Sequence, residues 1–598
     1  VTPSSAGLAV PNRSAASALR HRWAEADLDR WLFTALLLGA VVSMALFMLL
    51  PLAQLLSKSL LNARGEFVGA ANFLTYFRTP ALFASLTNSL LVAAITTVIS
   101  TGLGFVYAYA LTRTTMPGRG VFRGVAMLPL FAPTLLYGIA LVYLFGRKGL
   151  VTTGCFGWFA RVLGLPLALD IGLYGPVGII LAETLFTFPQ AVLILTVAFR
   201  MTDARLYEAA DSLQASGLRT FLTVTLPGVK YGLLSAVFVC FILAFTDFGA
   251  PKVVGGNFNV LATDIYKQVI GQQNFTMGAT VSVVLLVPTV IAFLLDRLSQ
   301  RRQFAIIQAK SVPLVPRPQP ARDWICFAAC LAIALPILAI FLTAVLASLI
   351  KIWPYDLSLS LRNYHFGNMG GGGYAAFWNS LRMSAYSAIV GTAVTFVVAY
   401  LVEKGKGLPL VRQGAYFLAM LPLALPGMVV GLAFIFFFNT PAWTLFGLSL
   451  PNPLHGIYGT MAILVASNIV HFFTVSFLTA TTALKQLDRE FESVSESMAV
   501  PFYVTFRRVT VPICLPAILE IGMYFFVNAM ATLSAVIFLY SADLPLATVA
   551  VANMDDAGDI APAAAMATLV VSANIGIRLL YEAATRGLMR RSQAWVAR

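Results

Sequence analysis

Charge is what this sequence has least of. Of 598 residues, 11% are Asp, Glu, Lys or Arg, while 59% are hydrophobic. That is too little charge to cover the surface of the roughly four soluble domains the length would otherwise suggest. It also excludes disorder, which needs the opposite balance. Five cysteines and four histidines with no CxxC pair leave no disulfide framework and no Cys/His zinc site. Cys326 and Cys330 stand four positions apart in an apolar run, where cysteine packs as a small hydrophobe. No GxxxxGK[ST] loop is present. The nearest candidate, Gly405-Lys406-Gly407, lacks the hydroxyl residue and the upstream glycine spacing, so ATP is expected to bind on another chain. The Gly370–Gly373 run has no helix signature behind it and reads as an outer loop rather than a phosphate cradle. Neither a Ser/His/Asp, a His-x-x-Glu-His nor a paired-carboxylate cluster stands at catalytic spacing, which argues against an integral enzyme.

What the sequence has in quantity is apolar runs long enough to cross a bilayer. They lie at about 31–52, 85–110, 123–145, 173–199, 232–250 and 278–296, and again at about 325–350, 378–402, 412–438, 457–480, 515–540 and 562–582. The net charge of +15 sits in alternate loops: roughly 29 of the 40 Lys and Arg fall in the set that includes the N-terminal tail, which is therefore expected inside with both termini. The basic balance thus follows topology and lipid rather than nucleic acid. Residues 1–30 are polar, with Arg13, Arg20, Arg22 and Arg30 before the first span, and lack the pattern of a cleaved signal peptide. The Pro-rich stretch 301–322 reads as a cytoplasmic linker. It divides a first six-span half, 31–300, from a second, 323–590, leaving a tail at 591–598.

The halves repeat each other. Asn88-Ser89-Leu90 returns as Asn379-Ser380-Leu381, 291 positions later, and Leu128-Pro129, Pro133 and Gly138 return as Leu421-Pro422, Pro426 and Gly431, 293 positions later. Thr220-Phe221, Val224-Thr225 and Pro227 return as Thr505-Phe506, Val509-Thr510 and Pro512 after 285. An even number of spans per half makes the repeats parallel, related by an axis along the membrane normal. The expected fold is an all-α membrane protein of twelve transmembrane helices in two six-helix repeats.

Between spans four and five, on the inner side, stands Glu208-Ala209-Ala210-Asp211, followed after Gln214 and Val224 by Leu226-Pro227. Leu206, Ala209, Ala210 and Leu213 make a small apolar stripe at helical spacing, with Glu208 and Asp211 at its side: a short amphipathic helix able to lie in a groove of another protein or on lipid. This resembles the EAA loop of binding-protein-dependent ABC importers, whose pattern is Glu-Ala-Ala, three residues, Gly, nine residues, Ile, one residue, Leu-Pro. Gln214 replaces the Gly and Val224 the Ile. In the second half, counting from Pro512, Ser493-Val494-Ser495 stands where Glu-Ala-Ala belongs, Ala499 at the Gly, and Glu492 one position early. From about 70 to 590 the chain resembles the fused double permeases of iron and phosphonate importers, most of all the 2-aminoethylphosphonate group, through Leu185-Phe186-Thr187-Phe188-Pro189, Thr246-Asp247-Phe248-Gly249 and the segment 261–273.

The resemblance implies the type I ABC importer permease fold in a bacterial inner membrane. It also implies a periplasmic binding protein, two copies of an ABC ATPase that carry ATP and Mg, and no cofactor on this chain. Coupling would fall to Glu208, Ala209, Ala210, Asp211, Leu226, Pro227, Glu492, Ser493, Val494 and Pro512. Polar groups inside spans are costly and suggest a path or gate: Glu183, Asp247, His471, Glu520 and Asn528, with Lys252 at the outer mouth. For Glu183 and Glu520 a hydrogen bond to backbone or a neighbouring helix is the stronger reading. The substrate expected from the resemblance and from outward Arg147, Lys148, Lys252 and Lys267 is 2-aminoethylphosphonate. Ferric iron is the alternative, with Asp555, Asp556 and Asp559 as an outer acidic group that would suit a hard cation, although a solvated loop or a docking patch for the binding protein is the stronger reading of it. A secondary transporter is the rival class, and co-purification of an ATPase discriminates between the two.

Overall fold

The computed structural model describes residues 13–156, 168–306, 312, 314–368, 371–405, 407–445, 448–498 and 500–592. Among them, nine helices are long and apolar enough to cross a membrane, and twelve if each of three bent pairs is one span. Many open on a proline in the first turn, where its missing N–H costs nothing: Pro80–Arg113, Pro176–Arg200, Pro320–Leu349 and Pro409–Met420. Two short hairpins, Ile350–Ile352 with Asp356–Leu359 and Ala442–Leu445 with Leu448–Pro451, are the sheet content of the described residues.

Three spans expected to be straight are broken. Arg119–Phe131 meets Thr134–Phe145 at 105°, and Pro409–Ala424 meets Gly427–Phe438 at 114°. Pro133 and Pro426 stand in extended backbone at these corners, as residues that cannot donate to the turn before them. Phe502–Ile513 bends by 77° into Leu515–Ala531. That helix ends at Ala531, so the apolar run 532–540 is non-helical chain and not the end of a span.

The repeat is visible in detail. The fourth span, Pro176–Arg200, and the tenth, Met461–Lys485, begin and end 285 positions apart. The Thr-Phe…Val-Thr…Pro echo marks a wide π turn in each half, Phe221–Thr225 and Phe506–Thr510. Each stands just ahead of Pro227 or Pro512, where an α turn would drive the ring into a carbonyl. Asn72 donates to the carbonyls of Ser59 and Leu61, and Asn363 donates to those of Ser348 and Ile350, pinning the outer ends of the first and seventh spans alike.

Close approach rests on small residues. A Cβ on Gly104 would lie 2.6 Å from that of Ala191, and one on Gly232 would lie 2.3 Å from that of Ala198. Ser100 and Thr187 hydroxyls bond at 2.6 Å between the second and fourth spans.

The opening span of each half packs on the other half. Phe33 meets Phe502 edge-on at 5.3 Å, Phe47 meets Phe438 at 5.6 Å, and the Asp29 carboxylate accepts the Phe502 N–H at 3.2 Å. Reciprocally, Cys330, Ala334 and Ile337 of the seventh span join a core with Tyr107 and Phe122, and Thr115 donates to Asp323 at 2.5 Å.

Candidate functional site

The first inner loop folds as a short helix, Ala204–Ser212, whose start is fixed by Asp203 accepting the Arg205 N–H at 3.1 Å. Ala210 is buried against the protein, whereas Glu208, Ala209 and Asp211 face out with Leu206 and with Leu213, which is 82% exposed. Leu206, Ala209 and Leu213 of the apolar stripe thus face away from the bundle, together with exposed Leu218 and Leu222, while Ala210 packs inward. Contiguous exposed apolar surface of this kind marks a docking face. Leu226 is half-buried and Pro227 exposed.

Gln214 has φ +51°, the left-handed conformation that ends the helix, and the Ala215 N–H returns to the Ala210 carbonyl at 3.0 Å. A glycine in this place needs no Cβ accommodation, which gives the motif's glycine its physical reason. The second loop makes the same closure, Val500 N–H to Ser495 carbonyl at 2.9 Å, after the helix Arg489–Ser497. Ser493, Val494, Phe491 and Met498 are exposed, as is Pro512. Ala499 and the side chain of Glu492 lie outside the described residues.

Sequence reading missed how the first loop is tied to the bundle. The Tyr207 hydroxyl donates to Thr225 at 3.1 Å, and the Arg113 guanidinium lies 4.9 Å over the Tyr207 ring. Arg113 ends the second span and donates to the Phe199 carbonyl at 2.8 Å and to Thr202 at the end of the fourth. One cation therefore joins the loop helix to the inner ends of two spans. Its only sequence signal was an arginine closing an apolar run. The linker touches this helix as well, the Ala204 N–H donating to the Val312 carbonyl at 2.9 Å.

The intramembrane candidates separate. Glu183 is fully buried in the fourth span and meets Asp247 at the C-terminal end of the fifth. Asp247 also accepts the Ala250 N–H at 2.9 Å and reaches Thr134 beside the Pro133 corner. Glu520 is elsewhere, half exposed and paired with Arg578 at 3.0 Å, so a neighbouring helix accounts for it. Asn528 donates to the Tyr524 carbonyl one turn back, and His471 lies against Phe472 with a buried Nδ1 that has no hydrogen-bond partner.

At the outer mouth Lys252, on the helix Gly249–Val254, pairs with Asp556 of Ala547–Ala557 at 2.7 Å and lies 4.9 Å over the Tyr266 ring. The pair crosses from one half to the other. Burial and then Asp556 push the neighbouring Asp555 carboxyl up to about 6, with Lys252 pulling the other way. Among the described residues no group of three or more His, Cys, Asp or Glu is placed to hold a metal ion.

Two six-span halves repeat each other, each with a short exposed helix between its fourth and fifth spans. Residues 100–305 match the family described as binding-protein-dependent transport system inner membrane component. A ferric transport system permease protein of Actinobacillus pleuropneumoniae is 26% identical over 83% of this chain and 70% of its own length. A probable ABC transporter permease protein of Sinorhizobium fredii is 25% identical over 94% of this chain and 98% of its own. The molybdenum transport system permease protein ModB of Escherichia coli is 30% identical over 27% of this chain and 67% of its own length. The chain belongs to this family of ABC importer permeases, with two permease halves fused in one polypeptide. It is accordingly a multi-pass inner-membrane protein whose family works with an ATPase and a periplasmic binding protein.

Proposed function

We propose that this permease imports ferric iron delivered by a periplasmic binding protein, with one ATPase copy docked on each inner loop and both termini in the cytoplasm. The observation that carries the substrate is similarity along most of the chain to proteins named as ferric permeases. A second of these, from Haemophilus influenzae, is 27% identical over 77% of this chain. Two docking helices, Ala204–Ser212 and Arg489–Ser497, support two ATPase copies, and the inner excess of Lys and Arg supports the orientation.

The 2-aminoethylphosphonate expectation leaned on resemblance and on outward Arg147, Lys148, Lys252 and Lys267 as donors, and the three lysines are engaged. Lys252 pairs with Asp556, Lys267 donates to Asn259 at 2.5 Å, and Lys148 donates to Tyr355 at 3.0 Å. Radiolabelled ferric iron uptake in cells with and without the gene tests the reading, with labelled 2-aminoethylphosphonate in a parallel arm. Iron uptake that falls on deletion and returns on complementation supports iron. Unchanged iron uptake with loss of phosphonate uptake overturns it.

A further inference from the structure

Glu183 and Asp247 are acceptor-only groups when ionised, and they meet between the fourth span and the end of the fifth. Glu183 is 0% exposed, and apart from the facing Asp247 carboxyl neither of its oxygens has a hydrogen-bond partner. Asp247 spends one oxygen on the Ala250 N–H. What satisfies two facing carboxyl groups is a proton or a metal cation between them. The Thr134 hydroxyl beside Asp247 adds a third oxygen-bearing group. Carboxylate and hydroxyl oxygens are hard ligands, and three side chains in one place are too few to trap a ferric ion permanently.

The other half argues that the acids are not there to build the fold. At the 285-residue offset Glu183 corresponds to Asn468, and Asp247 to Thr532, which likewise follows the last residue of its helix. The hydroxyl is kept but moved. Gly249 packs on Thr134, whereas Gly427, the counterpart of Thr134, packs on Ser534, the counterpart of Gly249. The same crossing of helices is thus made once with two carboxylates and once with none. Asn468 is fully buried and donates to the Leu464 carbonyl of its own helix.

We infer that Glu183 and Asp247, with Thr134, form a one-sided cation site in the first half through which the ferric ion passes. This rests on the ferric reading above. The geometry makes the site transient by its low ligand number, and it sits where the broken third span, the fourth span and the end of the fifth converge.

The test uses the full permease with its ATPase in proteoliposomes, driven by binding protein loaded with ferric iron. Glu183→Gln keeps the shape and removes the charge. Asp247→Asn keeps a side chain that caps a helix as well as aspartate does, so it separates cation holding from capping. Both are expected to reduce ATP-dependent iron accumulation at least tenfold while the ATPase still co-purifies, with Glu183→Asp retaining more than Glu183→Gln. Glu520→Gln, on the half-exposed pair, should stay within twofold of wild type. Wild-type accumulation in Asp247→Asn or in a correctly assembled Glu183→Gln overturns the site and leaves the ferric reading standing. If Glu183→Gln fails to assemble, Asp247→Asn decides alone. Wild-type protein that accumulates no iron overturns the ferric reading, and the site with it.

Discussion

The Ser89 hydroxyl accepts the backbone N–H of Leu261 at 2.8 Å, joining the second span to the start of an outer helix 172 residues away. Ser380 does the same for Ala547, also at 2.8 Å. The asparagines beside them repeat the pattern, Asn88 donating to the Asn259 carbonyl at 3.0 Å and Asn379 to that of Pro545 at 3.2 Å. The Asn-Ser-Leu echo is thus a fastening that holds the outer helices of each half.

Both serines are buried, so removing either hydroxyl leaves an N–H without a partner, at a cost of about 1–3 kcal/mol. Ser89→Ala and Ser380→Ala should each lower the melting temperature in detergent. The two sites share no partner, so the double variant should lose about the sum. Unchanged melting in both singles would show that water replaces the hydroxyl.

Gln214 holds a left-handed backbone that disfavours any side chain by about 1–2 kcal/mol. Gln214→Gly should relieve part of this and slow amide hydrogen exchange across 204–215, with ATPase coupling kept. Faster exchange would mean that the entropy glycine loses on folding outweighs the strain it removes.

The two loop helices proposed to dock the ATPase differ in charge. Glu208 presents a carboxylate on the exposed face of the first, and Ser493 occupies the aligned place in the second. Glu208→Arg should abolish stimulated ATP hydrolysis in the reconstituted complex, while Ser493→Arg, which removes no charge, should reduce it less. Full activity in Glu208→Ala would leave shape alone to couple the loop, and enlarging Ala209 and Ala210 to Leu should then be the more damaging change.

Asp555 offers a pH signature at the outer mouth. Its carboxyl is held at about 6, above the ordinary range, chiefly by burial and then by Asp556. A raised folded-state value means the folded protein binds the proton more tightly than the unfolded chain. Stability should therefore fall as pH rises from about 4 toward 6 and level off above. Melting curves across that window test this, and Asp555→Asn should flatten them. A wild-type curve that is already flat would contradict the burial.

Much of this was legible before the structure. Hydropathy marked the nine long apolar helices and the three bent pairs among the described residues, because crossing a bilayer demands a long apolar run whatever the partners. It did not show the corners at Pro133 and Pro426, because apolar chain continues through a bend as readily as along a helix. Nor did it show that the first and seventh spans lie on the opposite halves, since Phe33 and Phe502 carry no mark of each other in sequence. Glu183 and Asp247 stood out as costly residues. Their meeting needed the fold, and the helix ends carry the 285-residue offset of the Thr-Phe…Pro echo to Asn468 and Thr532 in the other half.

The most direct test of the whole assignment is ATP-dependent accumulation of ferric iron in proteoliposomes. They would contain this permease and its ATPase, with the iron-loaded binding protein outside. Accumulation that requires ATP, the ATPase and the binding protein together is the predicted result. Iron uptake that proceeds without the ATPase, or no uptake with all three components present, would contradict it.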